Sequence, residues 1–168
     1  AVKNYHKTDD IVVVFHGDAA TANGQWHEGM NLAAVQEVPL LVICENNGLA
    51  GNVPSSYYQP ISHLWLRASN YAMAGSRVDG NDIDGVFLAV QDGVEHVRGS
   101  SKPYFLECLT TRLSWHKQGQ RDVRSEEEMD KLRLRDPLRD VAMPIEIQKR
   151  VRDVIAASRA SKDAEWPC

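Results

Sequence analysis

Two uninterrupted apolar runs dominate the first third of the chain and predict buried strands. They are Ile11–Phe15 and Pro39–Cys44. A continuous apolar run without alternation is typical of a strand that is covered on both faces of a parallel sheet. Between the two runs, Trp26, Met30 and Ala33 recur at helical spacing. The segment therefore predicts a strand, a helix and a second strand, which together form a βαβ unit.

Strand and helix patterns continue to alternate along the middle of the chain. Helical spacing returns at residues 63–73, and a third long apolar run, Pro103–Thr110, predicts another strand. Between them, Asn81 or Asp82 can cap a helix that runs to about Arg98. Its inward positions are predicted to be Ile83, Val86, Phe87, Val90 and Val94. This alternation indicates a doubly wound α/β fold, a parallel β-sheet flanked by helices.

The pattern changes after the third strand. Residues 111–124 are polar and predict a loop of about 14 residues, a length that is uncommon unless the loop is functional or disordered. Ser125, with Glu128 three positions later, predicts the start of a helix. We therefore expect the chain to leave the sheet in a long loop and then return to helix.

The end of the chain predicts a helical tail. An amphipathic helix is indicated by five apolar residues: Ile145, Ile147, Val151, Val154 and Ile155. The chain contains no repeat and no low-complexity segment. We divide it into an α/β domain over residues 1–142 and a helical tail over residues 143–168.

Composition places the chain among globular proteins of about one domain. It has 168 residues, of which 43% are hydrophobic and 25% charged, with a formal net charge of −4. This balance lacks the basic footprint of a nucleic-acid-binding protein. No apolar run approaches the roughly 20 residues that a membrane helix needs. Cys44, Cys108 and Cys168 show no CxxC spacing, so we expect a cytoplasmic protein without a disulfide framework.

Polar residues follow each of the first two predicted strands. Asp18 comes shortly after the first strand, and Asn47 follows the second. Because the carboxyl ends of neighbouring parallel strands meet at one edge of a sheet, we expect these two side chains to lie close together. A carboxylate and an amide carbonyl are hard oxygen donors that suit Mg²⁺. Small residues at Gly17, Ala19 and Ala20 would let backbone N–H groups approach a diphosphate.

The same residues fall into a known pattern. The pairs Gly17-Asp18 and Asn46-Asn47 resemble the thiamine diphosphate motif, in which Gly-Asp is followed at similar spacing by Asn-Asn. The longer string GDAATANGQWHEGMNLAAVQEVPLLVICENN is similar to the alpha subunit of the decarboxylating component of 2-oxo acid dehydrogenase complexes. Pyruvate and acetoin dehydrogenases are the best-known members of that family. Further stretches match it in order, namely residues 7–10, 77–82, 103–112 and 135–137.

The resemblance implies a thiamine diphosphate-binding fold, present here in part, with thiamine diphosphate and Mg²⁺ as cofactors. It implies that Asp18 and Asn47 bind Mg²⁺ through their side chains and that Leu49 binds it through its carbonyl oxygen. The residues that contact the diphosphate would be Gly17, Ala19 and Ala20.

The long loop has a role in the same family. By the resemblance, His116 lies over the cofactor, where it donates a proton or contacts the diphosphate. Arg112 would hold the loop in place and belong to the cofactor site. A histidine in a polar loop is also commonly just solvated, and that interpretation of His116 stays open.

The reaction implied is oxidative decarboxylation of a 2-oxo acid, with pyruvate as the first expectation, and acyl transfer to lipoamide. Family members carry about another half-domain ahead of this segment and form their site between alpha and beta subunits. The beta subunit supplies the glutamate that activates the cofactor. We therefore expect a homo- or hetero-oligomer that also meets the lipoyl-bearing core, and an isolated chain that is inactive. No nucleic-acid or membrane partner is expected.

The missing half-domain, with two further departures from the family pattern, leaves an alternative open. Ala19 stands where the family has glycine, and Ser114–Lys117 replaces a His-Gly-His-Ser segment. The alternative is a truncated, non-catalytic relative or fragment that keeps the fold and the subunit interface. A turn at a strand end would also account for Gly, Asp and Asn residues in themselves. A nucleotide-binding Rossmann protein is not indicated, because neither GxGxxG nor GxxxxGK[ST] follows the first strand.

Overall fold

The core of the protein is a parallel sheet of four strands. The computed structural model describes residues 9–117, 119, 122, 124–139, 141–142 and 144–160. Its strands are β1 (Val12–Gly17), β2 (Leu40–Asn46), β3 (Leu49–Ala50), β4 (Val53–Pro54), β5 (Ala74–Asp79) and β6 (Tyr104–Leu109). The main sheet has the order β1-β2-β6-β5 with every neighbouring pair parallel, and β3 and β4 form a small antiparallel hairpin. This confirms the predicted α/β class.

Helices connect the strands as the alternating pattern predicted. The α-helices of the described residues are α1 (Gly24–Val35), α2 (Ile83–Ser100), α3 (Glu126–Arg133) and α4 (Ile145–Ala160). Shorter 3₁₀ helices cover Asp18–Ala22, Ser55–Tyr57 and Leu64–Tyr71. Asn23 caps α1 by accepting from the Gln25 N–H over 2.9 Å. Ser125 and Glu128 form the predicted capping box at the start of α3.

The two central strands separate two apolar layers. On one face Val42 and Phe105 pack with side chains of α1 and the 3₁₀ helix Leu64–Tyr71. On the other face Leu41 and Leu106 pack with α2, where Val97 is fully buried. Burial on both faces explains why Leu41–Cys44 of β2 and Tyr104–Leu106 of β6 are apolar without alternation, as predicted, whereas Glu107 is a buried polar residue of β6.

The first strand departs from that prediction. β1 is an edge strand, and Phe15 is 64% exposed, so burial of Ile11–Phe15 on both faces was a wrong expectation. Only β2 pairs with it among the described residues, and its outer edge stays open. Ile83 and Phe87 of α2 were predicted to point inward and are exposed. The other three predicted positions, Val86, Val90 and Val94, do face the sheet.

The chain divides into two compact units, Ala1–Pro137 and Leu138–Cys168. The second unit contains α4, whose five predicted apolar positions are all exposed. The boundary expected after residue 142 stays a prediction, and residues 161–168, with Cys168, lie outside the described residues. None of the described helices is long and apolar enough to cross a membrane.

Candidate functional site

The carboxyl edge of the main sheet brings the predicted site residues together. Gly17, at the end of β1, lies opposite Glu45 of β2 in the parallel register, so Asp18 and Asn47 both follow directly beyond this pair. The 3₁₀ helix that begins at Asp18 also contacts β3, which begins at Leu49. Adjacent strand ends therefore place Asp18 and Asn47 at one edge of the sheet, with Leu49 two residues further on. Their role as metal ligands stays a prediction.

Asp18 is almost completely buried, with 2% of its surface exposed. The Tyr58 hydroxyl donates to Asp18 Oδ2 over 2.7 Å. The backbone carbonyl of Asp18 accepts from the Thr21 hydroxyl at 2.8 Å and from the Gln59 amide at 3.0 Å. Burial, followed by the hydrogen bond to Asp18, raises the pKa of Tyr58 well above its usual range. The phenol therefore remains a hydrogen-bond donor to the carboxylate at ordinary pH.

A second tier of side chains supports this arrangement. The Gln59 amide nitrogen also donates to Thr21 Oγ1 at 2.6 Å, and its oxygen accepts from Arg67 Nη2 at 2.5 Å. Arg67 lies in turn 3.4 Å from Nε2 of His27, whose Nδ1 contacts the hydroxyl of Tyr71. None of these residues was predicted from the sequence, because a lone tyrosine or glutamine in a polar segment carries no local signal.

The turn after β2 is held by two side-chain caps in succession. The Gly48 N–H donates to Asn46 Oδ1 and the Leu49 N–H donates to Asn47 Oδ1, both over 2.9 Å. Gly48 has φ +73°, a left-handed conformation that glycine adopts without strain. Its carbonyl accepts from the Ser55 N–H at 2.8 Å. The turn is thus fixed by its own amides before any ligand binds.

The donor set at this edge fits Mg²⁺. A carboxylate, an amide oxygen and a backbone carbonyl are hard oxygen ligands, and Mg²⁺ commonly completes its octahedron with substrate phosphate and water. No group of three or more His, Cys, Asp or Glu side chains able to hold a metal occurs among the described residues. A methyl group built on Gly17 would meet no atom within 4 Å, so space is open beside the end of β1.

The long loop after β6 lies against the β3–β4 hairpin. Arg112 Nη1 donates to the carbonyl of Gly51 over 2.6 Å. The ring of His116 approaches the same glycine, since a methyl group there would lie 3.6 Å from its Cδ2. The structure therefore brings Arg112 and His116 to one turn, two residues beyond Leu49. His116 is exposed, and its catalytic role stays a prediction.

Trp115 joins the two ends of this loop. Two guanidinium groups lie over its ring, that of Arg112 at 5.6 Å and that of Arg124 at 5.3 Å from the ring centroid. Arg124 Nη1 also donates to the Arg112 carbonyl over 2.7 Å, and Arg124 Nη2 pairs with Asp122 Oδ2 at 2.7 Å. Hydrogen bonds from Arg124 lower the pKa of Asp122. Trp115, one of the departures from the family pattern, thus contacts two arginines of the loop, and these contacts were not predicted from the sequence.

Ala19 and Ala20 follow Asp18 within the 3₁₀ helix and are partly buried. Their expected approach to a diphosphate stays a prediction. A cavity of about 390 Å³ adjoins the predicted ligands and is lined in part by Asn47, Leu49 and Arg112. Asn47 and Leu49 belong to the turn after β2, whereas Arg112 belongs to the loop after β6, so the cavity exists only in the folded state.

Known proteins resemble nearly the whole chain. The family model described as dehydrogenase E1 component matches residues 1–161. The alpha subunit of acetoin:2,6-dichlorophenolindophenol oxidoreductase from Bacillus subtilis is 38% identical over 115 residues, which cover 68% of this chain and 34% of that protein.

Two further relatives match over longer stretches. The alpha subunit of the pyruvate dehydrogenase E1 component from Rhizobium meliloti is 31% identical over 168 residues, which cover 92% of this chain and 48% of that protein. The 2-oxoisovalerate dehydrogenase subunit alpha from Bacillus subtilis is 34% identical over 134 residues, which cover 79% of this chain and 41% of that protein. The chain spans less than half the length of these three relatives.

Proposed function

Because the chain belongs to the dehydrogenase E1 component family, we propose that it forms the part of an alpha subunit that binds thiamine diphosphate through Mg²⁺. The observation that carries the proposal is the buried Asp18 carboxylate, held by Tyr58 at the sheet edge where the Asn47 turn also lies. A structural turn needs no buried carboxylate, since the burial of a charged group costs free energy unless it is paired or hydrogen-bonded.

The proposed ligands divide between metal and diphosphate. Asp18 and Asn47 would bind Mg²⁺ through side-chain oxygens, and Leu49 would bind it through its carbonyl. The open space beside Gly17 would receive the diphosphate, whose oxygens Ala19 and Ala20 would contact through their N–H groups.

The reaction that we propose is oxidative decarboxylation of a 2-oxo acid, with acyl transfer to lipoamide and pyruvate as substrate. The bound cofactor supplies an electron sink for the loss of CO₂. Arg112 keeps the loop against Gly51 through its 2.6 Å hydrogen bond, and this holds His116 beside the same turn. From there His116 would donate a proton or contact the diphosphate.

The proposed partners are a beta subunit and a lipoyl-bearing core, within a cytoplasmic complex. Open apolar surface supports further protein contacts: Phe15 on β1 and Ile83, Phe87 and Leu88 on α2 are each at least 60% exposed. Cys44 and Cys108 are free and buried, in keeping with a reducing compartment.

Calorimetric titration of thiamine diphosphate into the full chain, with Mg²⁺ and with a chelator, tests the proposal. We expect binding that requires Mg²⁺ in the wild type and is lost in Asp18→Asn. Asparagine keeps an oxygen to accept from Tyr58, so the variant should melt close to the wild type. Asp92→Asn, an exposed change on α2, is the control and should bind normally.

Equal Mg²⁺-dependent binding by Asp18→Asn would overturn the assignment of the metal ligand. No Mg²⁺-dependent binding by the wild type would overturn cofactor binding by this chain and favour the alternative, a non-catalytic relative that keeps the fold and interface.

A further inference from the structure

Glu107 is a carboxyl group enclosed in the middle of the sheet. Its exposure is 0%, it lies on β6 beside Cys44 of β2, and it takes part in none of the ion pairs among the described residues. It accepts two hydrogen bonds, from Asn46 Nδ2 at 2.6 Å and from the Trp65 backbone N–H at 3.0 Å. Burying a carboxyl group costs free energy unless the group is hydrogen-bonded, and these two hydrogen bonds offset that cost.

The hydrogen bond to Asn46 decides which way its amide points. An asparagine amide has a donating nitrogen at one end and an accepting oxygen at the other. With Nδ2 directed at Glu107, Oδ1 faces the Gly48 N–H and accepts from it over 2.9 Å. The reversed amide would place its N–H₂ group against the Gly48 N–H, and the cap would be lost.

The second oxygen of Glu107 connects this turn to another segment. Trp65 lies in the first turn of the 3₁₀ helix Leu64–Tyr71, and its N–H donates to Glu107 Oε2. A backbone N–H cannot be reversed, so one oxygen of Glu107 is committed to it. The other oxygen must then also be an acceptor to hold Asn46 as observed. The two oxygens of the Glu107 side chain can fill both acceptor positions, whereas the amide of a glutamine would offer one oxygen and one N–H₂ donor.

We propose that Glu107 is a positioning residue for the cofactor site. It orients the Asn46 amide, which caps Gly48 and thereby sets where Asn47 and the Leu49 carbonyl stand relative to Asp18. The predicted effect on cofactor affinity rests on the proposed function. The orientation of the turn can be measured without cofactor.

A reciprocal exchange of donor and acceptor tests the arrangement. In Glu107→Gln, the single oxygen goes to the Trp65 N–H and the new N–H₂ group faces that of Asn46. In Asn46→Asp, two carboxylates face each other. The double variant again pairs a donor with an acceptor, because the new carboxylate at position 46 accepts from both the new amide at position 107 and the Gly48 N–H. It also keeps the net charge of −4.

Amide hydrogen exchange of the full chain is the first readout. We expect Gly48 exchange to accelerate about tenfold in each single variant, the order expected for one buried hydrogen bond, and to return to the wild-type rate in the double variant. The Leu106 amide, in the centre of β6, reports general loosening and should change much less. Equal acceleration at Gly48 and Leu106, or no recovery in the double variant, would overturn the proposal.

Calorimetric affinity for thiamine diphosphate with Mg²⁺ is the second readout, and it should fall and recover in the same order. Unchanged affinity in Glu107→Gln would overturn the positioning role. Absence of binding by the wild type would count against the proposed function alone, since the exchange pattern tests the Glu107 geometry without cofactor.

Discussion

The Tyr58 hydroxyl reaches back across 40 residues of sequence to donate a 2.7 Å hydrogen bond to Asp18 Oδ2. Tyr58 follows the β3–β4 hairpin and the 3₁₀ helix Ser55–Tyr57, so the segment after the second strand closes over the end of the first. Among the described residues, the side-chain hydrogen bond to this carboxylate engages Oδ2, and Oδ1 is the oxygen that we propose for Mg²⁺. The phenol thus determines how Asp18 would meet a metal.

Tyr58→Phe should weaken Mg²⁺-dependent cofactor binding about fivefold to tenfold and cost about 1 kcal/mol of unfolding free energy. The reason is that the buried Asp18 oxygen loses its donor. Titration calorimetry and urea unfolding measure the two effects. Tyr57→Phe is the matched control, since Tyr57 is 81% exposed and should show neither. Wild-type affinity in Tyr58→Phe would contradict the role given to this hydroxyl.

Gly17→Ala should leave the melting temperature unchanged while lowering cofactor affinity at least tenfold. Gly17 has φ −78°, which alanine adopts freely, and its new methyl group would occupy the space proposed for the diphosphate. Gly24→Ala is the comparison, because a methyl group there also meets no atom within 4 Å. If both variants bind like the wild type, the diphosphate does not lie beside Gly17.

Trp115→Ala should loosen the loop over the β3–β4 hairpin. The substitution removes the ring that both Arg112 and Arg124 contact, and each cation–π contact contributes about 0.5–1 kcal/mol at a partly exposed site. Trypsin cleavage after the exposed Lys117 should become severalfold faster, and Trp115→Phe should restore part of the protection. An unchanged cleavage rate would show that the two arginines hold the loop without the ring.

Asp79 and Arg135 should make stability depend on pH in the acid range. The Asn81 N–H, followed by Arg135 at 2.8 Å, lowers the pKa of the Asp79 carboxyl. A lowered folded-state pKa stabilises the protein above the ordinary value of about 3.9, and this contribution is lost as the pH falls below it.

Thermal melts between pH 6 and pH 2.5 measure this contribution. Both partners are about half exposed, so we expect only about 0.5 kcal/mol. Asp79→Asn should remove that part of the pH dependence, and Asp92→Asn should keep it. Identical pH profiles for wild type and Asp79→Asn would refute the prediction.

The order of strands and helices followed from the sequence because each element carries its own periodicity. The apolar runs of β2 and β6, the helical spacing of α1 and the Ser125–Glu128 cap are local signals. The meeting of Asp18 and Asn47 was also predictable, since parallel strands bring their carboxyl ends to one edge. Their part in binding a cofactor stays a prediction.

Only the tertiary structure decided which side chains support that edge. Tyr58 lies 40 residues from Asp18, and Glu107 lies 61 residues from Asn46, so neither pairing leaves a periodic trace in the sequence. The same holds for the exposure of β1. An apolar run shows the same sequence pattern whether the strand lies at the edge of the sheet or in its centre. Chain periodicity encodes the elements, whereas contacts between distant residues arise from packing, and packing exists only once the chain has folded.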